Sequence, residues 1–459
     1  MADHHELFFE KFQTDPRLQL ACSLILEALQ EHQEQISAIR PPQQARIVDY
    51  AQLLTEFQHI RGAPLYFPYI GSGFGKGPLV ELLDGSIKYD MISGIGPHYW
   101  GHSHPAMVAS AFRASLSDTV MQGHLQQNLE ALEISRLLTR ASGLKQCFLS
   151  SSGAMANENG LKIALQKKAP AQRILAFEGC FMGRTLALSQ ITDKPSYRDG
   201  LPTTVAVDYL PFYDPLNPEK STAHSLAALH TLLRRYPGQH AVFCLELVQG
   251  EAGMRVGNRE FFMALLRPLR ERGILIFADE VQSFGRTPAL FAFQHFGLDS
   301  YVDIVSIGKL SQFCATLFIE ELKPKPGLLS QTFTSSSVAL QTGRFIIEQL
   351  LNGEFFGPSG KIARLHSLFL QRLEALHKKY PQAISGPYGI GSMIAFTPFQ
   401  GDPQRTAQFA QKLFHAGVIS FIAGSHPTRI RFLPPIGSLE NADILAVMDI
   451  VEQVIVKEL

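Results

Sequence analysis

Ile274-Leu-Ile-Phe-Ala-Asp-Glu-Val-Gln282 joins an apolar run directly to an acidic pair. Such a run is typical of a strand that is buried on both faces, as in a parallel sheet covered by helices. A carboxylate at the end of a buried strand is costly unless it meets a cation. Asp279 is therefore a candidate site residue. The pair could equally cap a helix or, through Glu280, bind a metal, and the stretch alone leaves these alternatives open.

Other short apolar runs flank this stretch and are separated by long helical patterns. They predict strands over residues 147–150, 173–177, 241–246, 274–279 and 304–307. This alternation predicts an α/β fold with a mostly parallel central sheet covered by helices. Ligands of such sheets collect at the carboxyl ends of the strands.

Two further polar features also follow predicted strands. Ser150-Ser-Ser-Gly-Ala154 precedes a helical pattern over 157–167, so its N–H groups could face a phosphate, although Ser152 could simply cap the helix. Lys309 follows the strand at 304–307 and could form a Schiff base, although a single lysine is more often a solvated charge. With both features present, a protonated pyridine nitrogen is a suitable cation for Asp279.

The composition restricts the class of protein. The chain has 459 residues, of which 46% are hydrophobic, and its 41 basic residues balance its 41 acidic residues. This profile predicts a globular protein and disfavours a nucleic-acid partner, which normally requires a basic excess. Because no apolar run has membrane-spanning length and the amino terminus is charged, we expect no membrane association and a cytoplasmic location. The five cysteines include no CxxC pair, which excludes a zinc ribbon, and we expect no metal site.

The pattern along the chain predicts three regions. Residues 1–100 are predicted to hold a helical leader and part of a small domain, 101–342 a large cofactor-binding domain, and 343–459 the rest of the small domain. Gly71-Ser-Gly-Phe-Gly-Lys-Gly77 could be a phosphate loop, but it lacks the GK[ST] ending and leads into a strand pattern rather than a helix. We therefore expect a hairpin there.

Several motifs together resemble a known family. They are Ser152-Gly-Ala-Met-Ala-Asn-Glu158, Phe181-Met-Gly-Arg-Thr185, Gln249-Gly-Glu-Ala-Gly253, Asp279-Glu-Val-Gln-Ser-Phe-Gly-Arg-Thr287, Asp303-Ile-Val-Ser-Ile-Gly-Lys309 and Arg431-Phe-Leu-Pro-Pro435. From about residue 71 onward, their order and spacing resemble those of class III aminotransferases. The resemblance implies fold type I, with a small domain built from both chain ends, and dependence on pyridoxal 5′-phosphate.

The same resemblance implies roles for two catalytic residues. Lys309 would bind the cofactor as a Schiff base and then carry the proton between the substrate carbon and the cofactor. Asp279 would pair with the pyridine nitrogen.

The other implied cofactor contacts surround the ring and the phosphate. Val281 would pack behind the ring, Phe181 would stack on its other face, and Gln282 would reach the phenolic oxygen. Gly153 and Ala154, after Ser152, would offer N–H groups to the phosphate. Thr332 would reach the phosphate of a neighbouring subunit, which implies a homodimer with shared active sites.

Substrate binding is implied for three residues. Arg431 would bind the α-carboxylate of 2-oxoglutarate or glutamate, and Glu251 would neutralise that arginine when the donor offers an ω-amino end. Arg184, within a match to ornithine aminotransferases, would bind the distal carboxylate. Lys309-Leu-Ser-Gln-Phe-Cys314 is similar to lysine 6-aminotransferases, so a diamino acid, with lysine favoured, is the expected amino donor and a 2-oxo acid the acceptor.

The sequence also departs from the family pattern. Met182 replaces a histidine, Leu247 a proline, and the glycines expected after Lys309 and after Thr332 are absent. Each missing glycine adds a side chain where backbone normally approaches the cofactor or the partner subunit. Alternatives are therefore an ornithine, acetylornithine or 4-aminobutyrate aminotransferase, a pyridoxal-phosphate-dependent aminomutase or racemase, or a non-catalytic binder of that cofactor.

Overall fold

A computed structural model describes residues 6–121, 123 and 125–459 of the chain. The helices in this part are α1 (Phe8–Gln13), α2 (Pro16–Gln33), α3 (Ile47–Arg61), α4 (Pro105–Ala114), α5 (Leu129–Ser142), α6 (Gly153–Lys168), α7 (Leu188–Ile191), α8 (Pro218–Arg235), α9 (Arg259–Glu271), α10 (Ala292–His295), α11 (Ser337–Asn352), α12 (Lys361–Lys379), α13 (Pro403–Ala416) and α14 (Asn441–Glu458). Short 3-10 helices cover Gln44–Arg46, Pro195–Tyr197, Lys309–Ser311, Glu320–Leu322 and Phe399–Gly401.

The strands between these helices form several sheets. They are β1 (Gly71–Lys76), β2 (Leu79–Leu82), β3 (Ile87–Asp90), β4 (Val120–Met121), β5 (Gln146–Ser150), β6 (Arg173–Phe177), β7 (Ala206–Leu210), β8 (His240–Leu245), β9 (Val248–Gln249), β10 (Arg255–Val256), β11 (Leu275–Glu280), β12 (Ile304–Ile307), β13 (Cys314–Phe318), β14 (Ser335–Ser336), β15 (Ile384–Ile390), β16 (Met393–Pro398), β17 (Val418–Ile419), β18 (Phe421–Ala423) and β19 (Arg429–Phe432).

The largest sheet has seven strands in the order β5-β13-β12-β11-β8-β6-β7. Strand β13 is antiparallel to both of its neighbours, and the other strands all run in one direction. The five strands predicted from the sequence are present to within one residue at each end. The predicted α/β class with a mostly parallel central sheet is therefore confirmed.

The sequence analysis did not predict β7 and β13. Strand β7 lies at the sheet edge, and its apolar pattern is interrupted by Asp208, which accepts hydrogen bonds from Arg173 at 2.7 Å and lies 2.8 Å from His240. Strand β13 is fully buried and begins five residues after Lys309. Its first residue, Cys314, belongs to the motif that resembles lysine aminotransferases, and the run was not predicted as a strand. The antiparallel direction of β13 follows from the tight turn at Lys309–Ser311.

Both faces of the central sheet are buried. Neighbouring residues of one strand belong to different apolar clusters: Phe243 and Ile276 pack in one, and Cys244 and Phe277 pack in the other. Because successive side chains of a strand point to opposite faces, this division shows that helices cover the sheet on both sides. The polar groups of the site must therefore lie at strand ends.

The two ends of the chain meet in the smaller part of the molecule. Strand β3, near the amino terminus, pairs in parallel with β17 near the carboxyl terminus. A second sheet has the order β15-β16-β19-β18, and α12, α13 and α14 lie nearby. This arrangement confirms the small α+β domain built from both termini and places β19 beside the site.

The glycine-rich segment near residue 71 is a strand. β1 pairs antiparallel with β2, and β2 pairs antiparallel with β3. The segment therefore forms the predicted hairpin and does not lead into a helix, as a nucleotide-binding phosphate loop would.

A helix that crosses a lipid bilayer must be both long and apolar. Among the residues that the structure describes, no helix combines the length and the apolar character needed to cross one.

Candidate active site

The three polar features meet at one edge of the central sheet. In β11 and β12, Asp279 lies opposite Ser306, and Lys309 follows two residues after β12 ends. In β13 and β5, Cys314 lies opposite Ser150, which is followed by the start of α6. Since β5, β13, β12 and β11 are adjacent, the sheet brings Lys309, Asp279 and the start of α6 to the same place.

Lys309 begins a single 3-10 turn in the left-handed backbone conformation, with φ of 56°. Within the described residues its amine forms no hydrogen bond or ion pair. Burial lowers the pKa of Lys309, and the charge of Arg431 lowers it further, against the opposing charges of Glu251 and Asp279. A larger neutral fraction makes this amine a better nucleophile.

Asp279 is a buried carboxylate with three hydrogen-bond donors around it. Asn157 donates at 2.7 Å, the N–H of Val281 at 2.9 Å, and Ser306 at 3.3 Å. Burial raises the pKa of Asp279 to about 6 despite these donors. No cation forms an ion pair with Asp279 in the part of the chain described, so a cationic group would stabilise its charge.

Asn157 was not assigned a role from the sequence, although it belongs to a motif quoted above. Its Nδ2 donates both to Asp279 and to the carbonyl of Met182, each at 2.7 Å, while its buried Oδ1 has no hydrogen-bond partner among the described residues. A buried amide on the face of α6 that also carries Gly153 could have signalled this contact. Asn157 orients the carboxylate of Asp279.

Glu280 points away from this chemistry. Its carboxylate accepts hydrogen bonds from the N–H groups of Ala292 at 2.7 Å and Phe293 at 2.8 Å, so it caps α10. Burial raises the pKa of Glu280 to about 8. Of the alternatives left open for the acidic pair, helix capping is therefore the one that the structure shows for Glu280. Among the described residues, no three His, Cys, Asp or Glu side chains come together as metal ligands.

The start of α6 forms a narrow cradle with the ends of β11 and β12. Ser152 caps the helix, accepting from the N–H of Met155 at 3.2 Å. A Cβ at Gly153 would lie 2.8 Å from the Val281 side chain, and one at Gly308 would lie 3.2 Å from it. Glycine is required at both positions for this close approach. The first N–H groups of a helix have no intrahelical acceptor, so those of Gly153 and Ala154 can bind an anion.

Phe181 is positioned by a carboxyl group that the sequence analysis missed. Its N–H donates to Glu246 at 2.8 Å, and the N–H of Gly250 donates to the other oxygen of Glu246 at 3.3 Å. Burial and the charge of Asp279 raise the pKa of Glu246 well above its usual value. An acidic residue at the end of the predicted strand 241–246 was the available signal. Glu246 links the Phe181 loop to the turn that precedes Glu251.

Arg431 is fully buried on β19 and faces Glu251 and Gln282. Its Nη2 lies 2.7 Å from a carboxylate oxygen of Glu251, and its Nη1 donates to Gln282 at 3.5 Å. Gly250 allows Gln282 to lie this close to the turn, since a Cβ there would be 2.0 Å from its Oε1. The structure thus brings together Lys309, Asp279, Gln282, Glu251 and Arg431.

Arg286 is a second fully buried guanidinium that was overlooked as a site residue. It donates to the carbonyl of Gly96 at 2.7 Å and to the carbonyl of Pro434 and the hydroxyl of Ser392 at 3.3 Å each. A Cβ at Gly96 would lie 3.3 Å from the Lys309 side chain. Arg286 therefore holds the segment that packs against Lys309.

Two implied site residues lie elsewhere in this subunit. Arg184 is exposed, with its guanidinium carbon 3.9 Å from the centre of the Tyr197 ring. Thr332 is also exposed and forms no hydrogen bond within the described part of the subunit. The structure does not bring either residue next to Lys309.

The combined site fits the chemistry of pyridoxal 5′-phosphate. Among the described residues, the buried amine has no partner, the buried carboxylate has no paired cation and the first N–H groups of α6 are free. These three groups match the aldehyde, the ring nitrogen and the phosphate of the cofactor. A cleft of about 1060 Å³ opens beside Phe181 and Glu251 of this site, while Lys309 and Asp279 are not among its lining residues. It is lined by both parts of the molecule, including Phe181, Glu251, Arg255, Tyr388 and Arg429.

Comparisons with known proteins agree with this geometry. The family model "Aminotransferase class-III" matches residues 72–455. An acetylornithine aminotransferase from Methanocaldococcus jannaschii is 28% identical over 400 residues, which cover 83% of this chain and 92% of that protein. A lysine aminotransferase from M. tuberculosis has a TM-score of 0.77 at 22% identity, covering 87% of this chain and 98% of that chain. A PLP-bound amine transaminase from an uncultivated Pseudomonas species has a TM-score of 0.75 at 19% identity, covering 85% and 94%. At these identities, the two solved structures show only that the fold is shared.

Proposed function

We propose a substrate and residue roles for this chain, which belongs to the class III aminotransferases and uses pyridoxal 5′-phosphate as its cofactor. It transfers the terminal amino group of a diamino acid, with lysine as the favoured donor, to 2-oxoglutarate. The products are glutamate and a semialdehyde. The observation that carries this proposal is the buried Arg431, paired at 2.7 Å with Glu251 beside Lys309.

The bound cofactor supplies the electron sink that stabilises negative charge on the substrate carbon. Asp279 holds the ring nitrogen protonated, and its raised pKa and missing cation support this role. Gln282 would reach the phenolic oxygen of the cofactor, and Val281 and Phe181 would enclose its ring. Gly153 and Ala154, after the capping Ser152, donate to the phosphate.

Lys309 holds the cofactor covalently and then moves a proton to and from the substrate carbon. Its lowered pKa supports both roles, because a neutral amine can attack a carbonyl and accept a proton. Glu251 and Asp279 lie close enough to stabilise the protonated amine after each transfer. The left-handed turn at Lys309 directs its side chain towards Gly96.

Arg431 and Glu251 act as a switch between the two half-reactions. Arg431 binds the α-carboxylate of 2-oxoglutarate and pairs with Glu251 when the diamino acid presents its terminal amine. A buried guanidinium therefore has an anionic partner in both half-reactions, which avoids the cost of an unpaired buried charge.

The choice of donor rests on the residues after Lys309. Gln312 and Cys314 stand where many class III enzymes have glycine, as in the lysine 6-aminotransferase pattern, and Gln312 adopts φ of 66° and donates to the carbonyl of Pro97 at 2.7 Å. Acetylornithine is the second candidate donor, supported by the 28% identity to an acetylornithine aminotransferase.

A homodimer with shared active sites is also part of the proposal. Thr332 is exposed on a loop beside Phe333, which is 63% exposed, and Val120 on β4, the strand that pairs with β14, is 45% exposed. Exposed apolar side chains of this size are typical of a surface that a partner covers. Thr332 would then reach the phosphate bound in the neighbouring subunit.

A donor test decides the substrate. Lysine, ornithine, 4-aminobutyrate and N-acetylornithine are added singly to the holoenzyme, and the cofactor's absorption band is followed. We expect lysine to remove the band and 2-oxoglutarate to restore it. A band that changes only with N-acetylornithine would assign the second candidate, and a band unchanged by all four would contradict a diamino acid donor. Turnover without any 2-oxo acid would indicate an isomerase.

Replacing Arg431 by alanine tests the switch. We expect the rate of the 2-oxoglutarate half-reaction to fall about 100-fold, because the α-carboxylate loses a buried charged partner. The donor half-reaction should fall less than about tenfold, since the terminal amine does not need this cation. Single-turnover absorbance measures the two halves separately.

Arg405→Ala is the matched control, since Arg405 is an exposed arginine of the same small domain that lies over the ring of Phe399. It should leave both half-reactions unchanged. Equal losses in the two half-reactions of Arg431→Ala would argue against its role as the 2-oxo acid carboxylate site.

A further inference from the structure

Two arginines line the cleft beside the site. Arg255 lies on β10, four residues after Glu251, and Arg429 lies on β19, two residues before Arg431. Within the described residues, neither guanidinium forms an ion pair with a carboxylate. The charges of Glu178 and Asp214 reach Arg255 but form no ion pair with it among the described residues. Two partly buried cations without a paired anion are costly, so their presence in a cleft points to an anionic ligand.

Arg429 is held firmly although its charge is unpaired. Its Nη1 donates to the carbonyl of Gly253 at 2.7 Å, and its guanidinium carbon lies 3.5 Å from the centre of the Tyr388 ring. Its buried Nε has no hydrogen-bond partner in the part of the chain that the structure describes. Burial lowers the pKa of Arg429, and the nearby charge of Arg255 contributes to this shift. The side chain is therefore preorganised for a ligand that the subunit does not supply.

The Arg255 side chain is held by fewer contacts than that of Arg429. Its guanidinium carbon lies 5.0 Å from the centre of the Phe212 ring, and it makes no hydrogen bond within the described part of the chain. The nearby Asp214 does not pair with it, because its carboxylate accepts from the N–H of Leu216 at 3.0 Å and from Asn217 at 2.9 Å. The donors of Arg255 are thus free to bind a ligand in the cleft.

We infer that Arg255 and Arg429 together bind the carboxylate at the far end of the amino donor. This inference rests on the proposed function and specifies its donor as an ω-amino compound that carries a distal carboxylate. Glu251 and Phe181 line the same cleft as the two arginines. A donor whose terminal amine reaches Lys309 therefore extends past Glu251 towards them. Two guanidinium groups can hold the two oxygens of one carboxylate with charge-assisted hydrogen bonds.

The assignment differs from the one that the family resemblance implies. Arg184, the implied partner of the distal carboxylate, is exposed, does not line this cleft and stacks on Tyr197. Arg255 and Arg429, in contrast, lie on segments continuous with the switch residues Glu251 and Arg431.

The test compares lysine with 1,5-diaminopentane, which has the same reacting amine without the carboxylate. The second-order rate constant of the donor half-reaction is measured in single turnovers for both donors. The wild-type holoenzyme is compared with Arg255→Gln and Arg429→Gln. We expect each variant to lower the lysine value about 10- to 100-fold and to leave the diaminopentane value within about threefold. Arg235→Gln is the matched control, because Arg235 also lies near a tyrosine ring, on an exposed helix surface.

The outcomes separate this inference from the proposed function. Equal use of both donors by the wild type, or a loss of lysine preference only in Arg184→Gln, would overturn the Arg255–Arg429 assignment while keeping the diamino acid donor. If neither lysine nor 1,5-diaminopentane reacts, the proposal of a diamino acid donor fails. Calorimetric titration with glutarate then tests the carboxylate subsite. Glutarate binding that is at least tenfold weaker in both variants than in the wild type supports the Arg255–Arg429 assignment. Unchanged glutarate binding overturns it. If Arg429→Gln does not fold, Arg255→Gln alone tests the subsite. Among the described residues the Arg255 guanidinium makes no hydrogen bond, so its replacement removes none.

Discussion

Lys309→Ala is expected to abolish transamination while the protein remains folded. The variant loses both the covalent attachment of the cofactor and the proton carrier, so turnover should fall by about 10⁴-fold or more. Because burial already disfavours the charged amine and this amine has no hydrogen-bond partner among the described residues, removing it should change the melting temperature by only a few degrees. Steady-state turnover and thermal unfolding of the same preparation test both statements.

Chemical rescue distinguishes the role of the amine from a structural role. A small primary amine such as methylamine should restore part of the activity of Lys309→Ala, since it can supply the missing nitrogen base. Lys323→Ala, at an exposed lysine paired with Glu320, is the control and should behave like the wild type. Turnover at the wild-type rate in Lys309→Ala would remove this residue from the mechanism.

Asp279→Asn is expected to slow turnover by about 10²- to 10⁴-fold and to weaken cofactor binding. An amide of the same shape keeps the fold but cannot supply the negative charge that holds a ring nitrogen protonated. Single-turnover rates and cofactor dissociation, each measured on holoenzyme, check the two parts. Near-normal kinetics would refute the pairing of Asp279 with the ring nitrogen.

The pH dependence of cofactor binding gives Asp279 a signature of its own. The pKa of its carboxyl is about 6 without the cofactor, above the usual value, so the carboxylate takes up a proton as the pH falls below about 6. In the cofactor-free protein this proton uptake adds stability at low pH, since ionised Asp279 is the costly form. Cofactor affinity should show the opposite trend and weaken below about pH 6 in the wild type. The dependence should be smaller in Asp279→Asn, where the phosphate of the cofactor and the amine of Lys309 still titrate.

Glu280→Gln is a matched control for Asp279→Asn. Glu280 is the next residue of β11 and also a buried carboxyl, but it caps α10. Its substitution should cost about 1–3 kcal/mol of unfolding free energy through a weakened cap, with the chemistry of the folded protein unchanged. A catalytic loss in Glu280→Gln as large as that in Asp279→Asn would mean that the region acts through stability alone.

Local patterns in the sequence were enough to predict the framework. Runs such as 173–177 and 304–307 predicted strands because burial on both faces requires continuous apolar residues, and the helical pattern after Ser152 predicted α6. The polar residues after those runs predicted the site edge, since parallel strands end together. These features depend on neighbours within about ten residues, so they can be read from the chain.

Other features depend on contacts between distant segments. Glu246 supports Phe181 across 65 residues, and Asn157 reaches Asp279 across 122 residues. No local pattern marks such pairs, because a buried polar residue is identified by its partner rather than by its neighbours in sequence.

The sequence by itself determined the α/β class, because burial on both faces of a strand leaves a local pattern. Its motifs resemble those of the family, and that resemblance implied the roles of Lys309 and Asp279. Only the tertiary structure decided that Arg184 lies outside the cleft and that Arg255 and Arg429 line it. A cleft forms between segments far apart in the chain, and the charge that a side chain meets there is set by how those segments pack together.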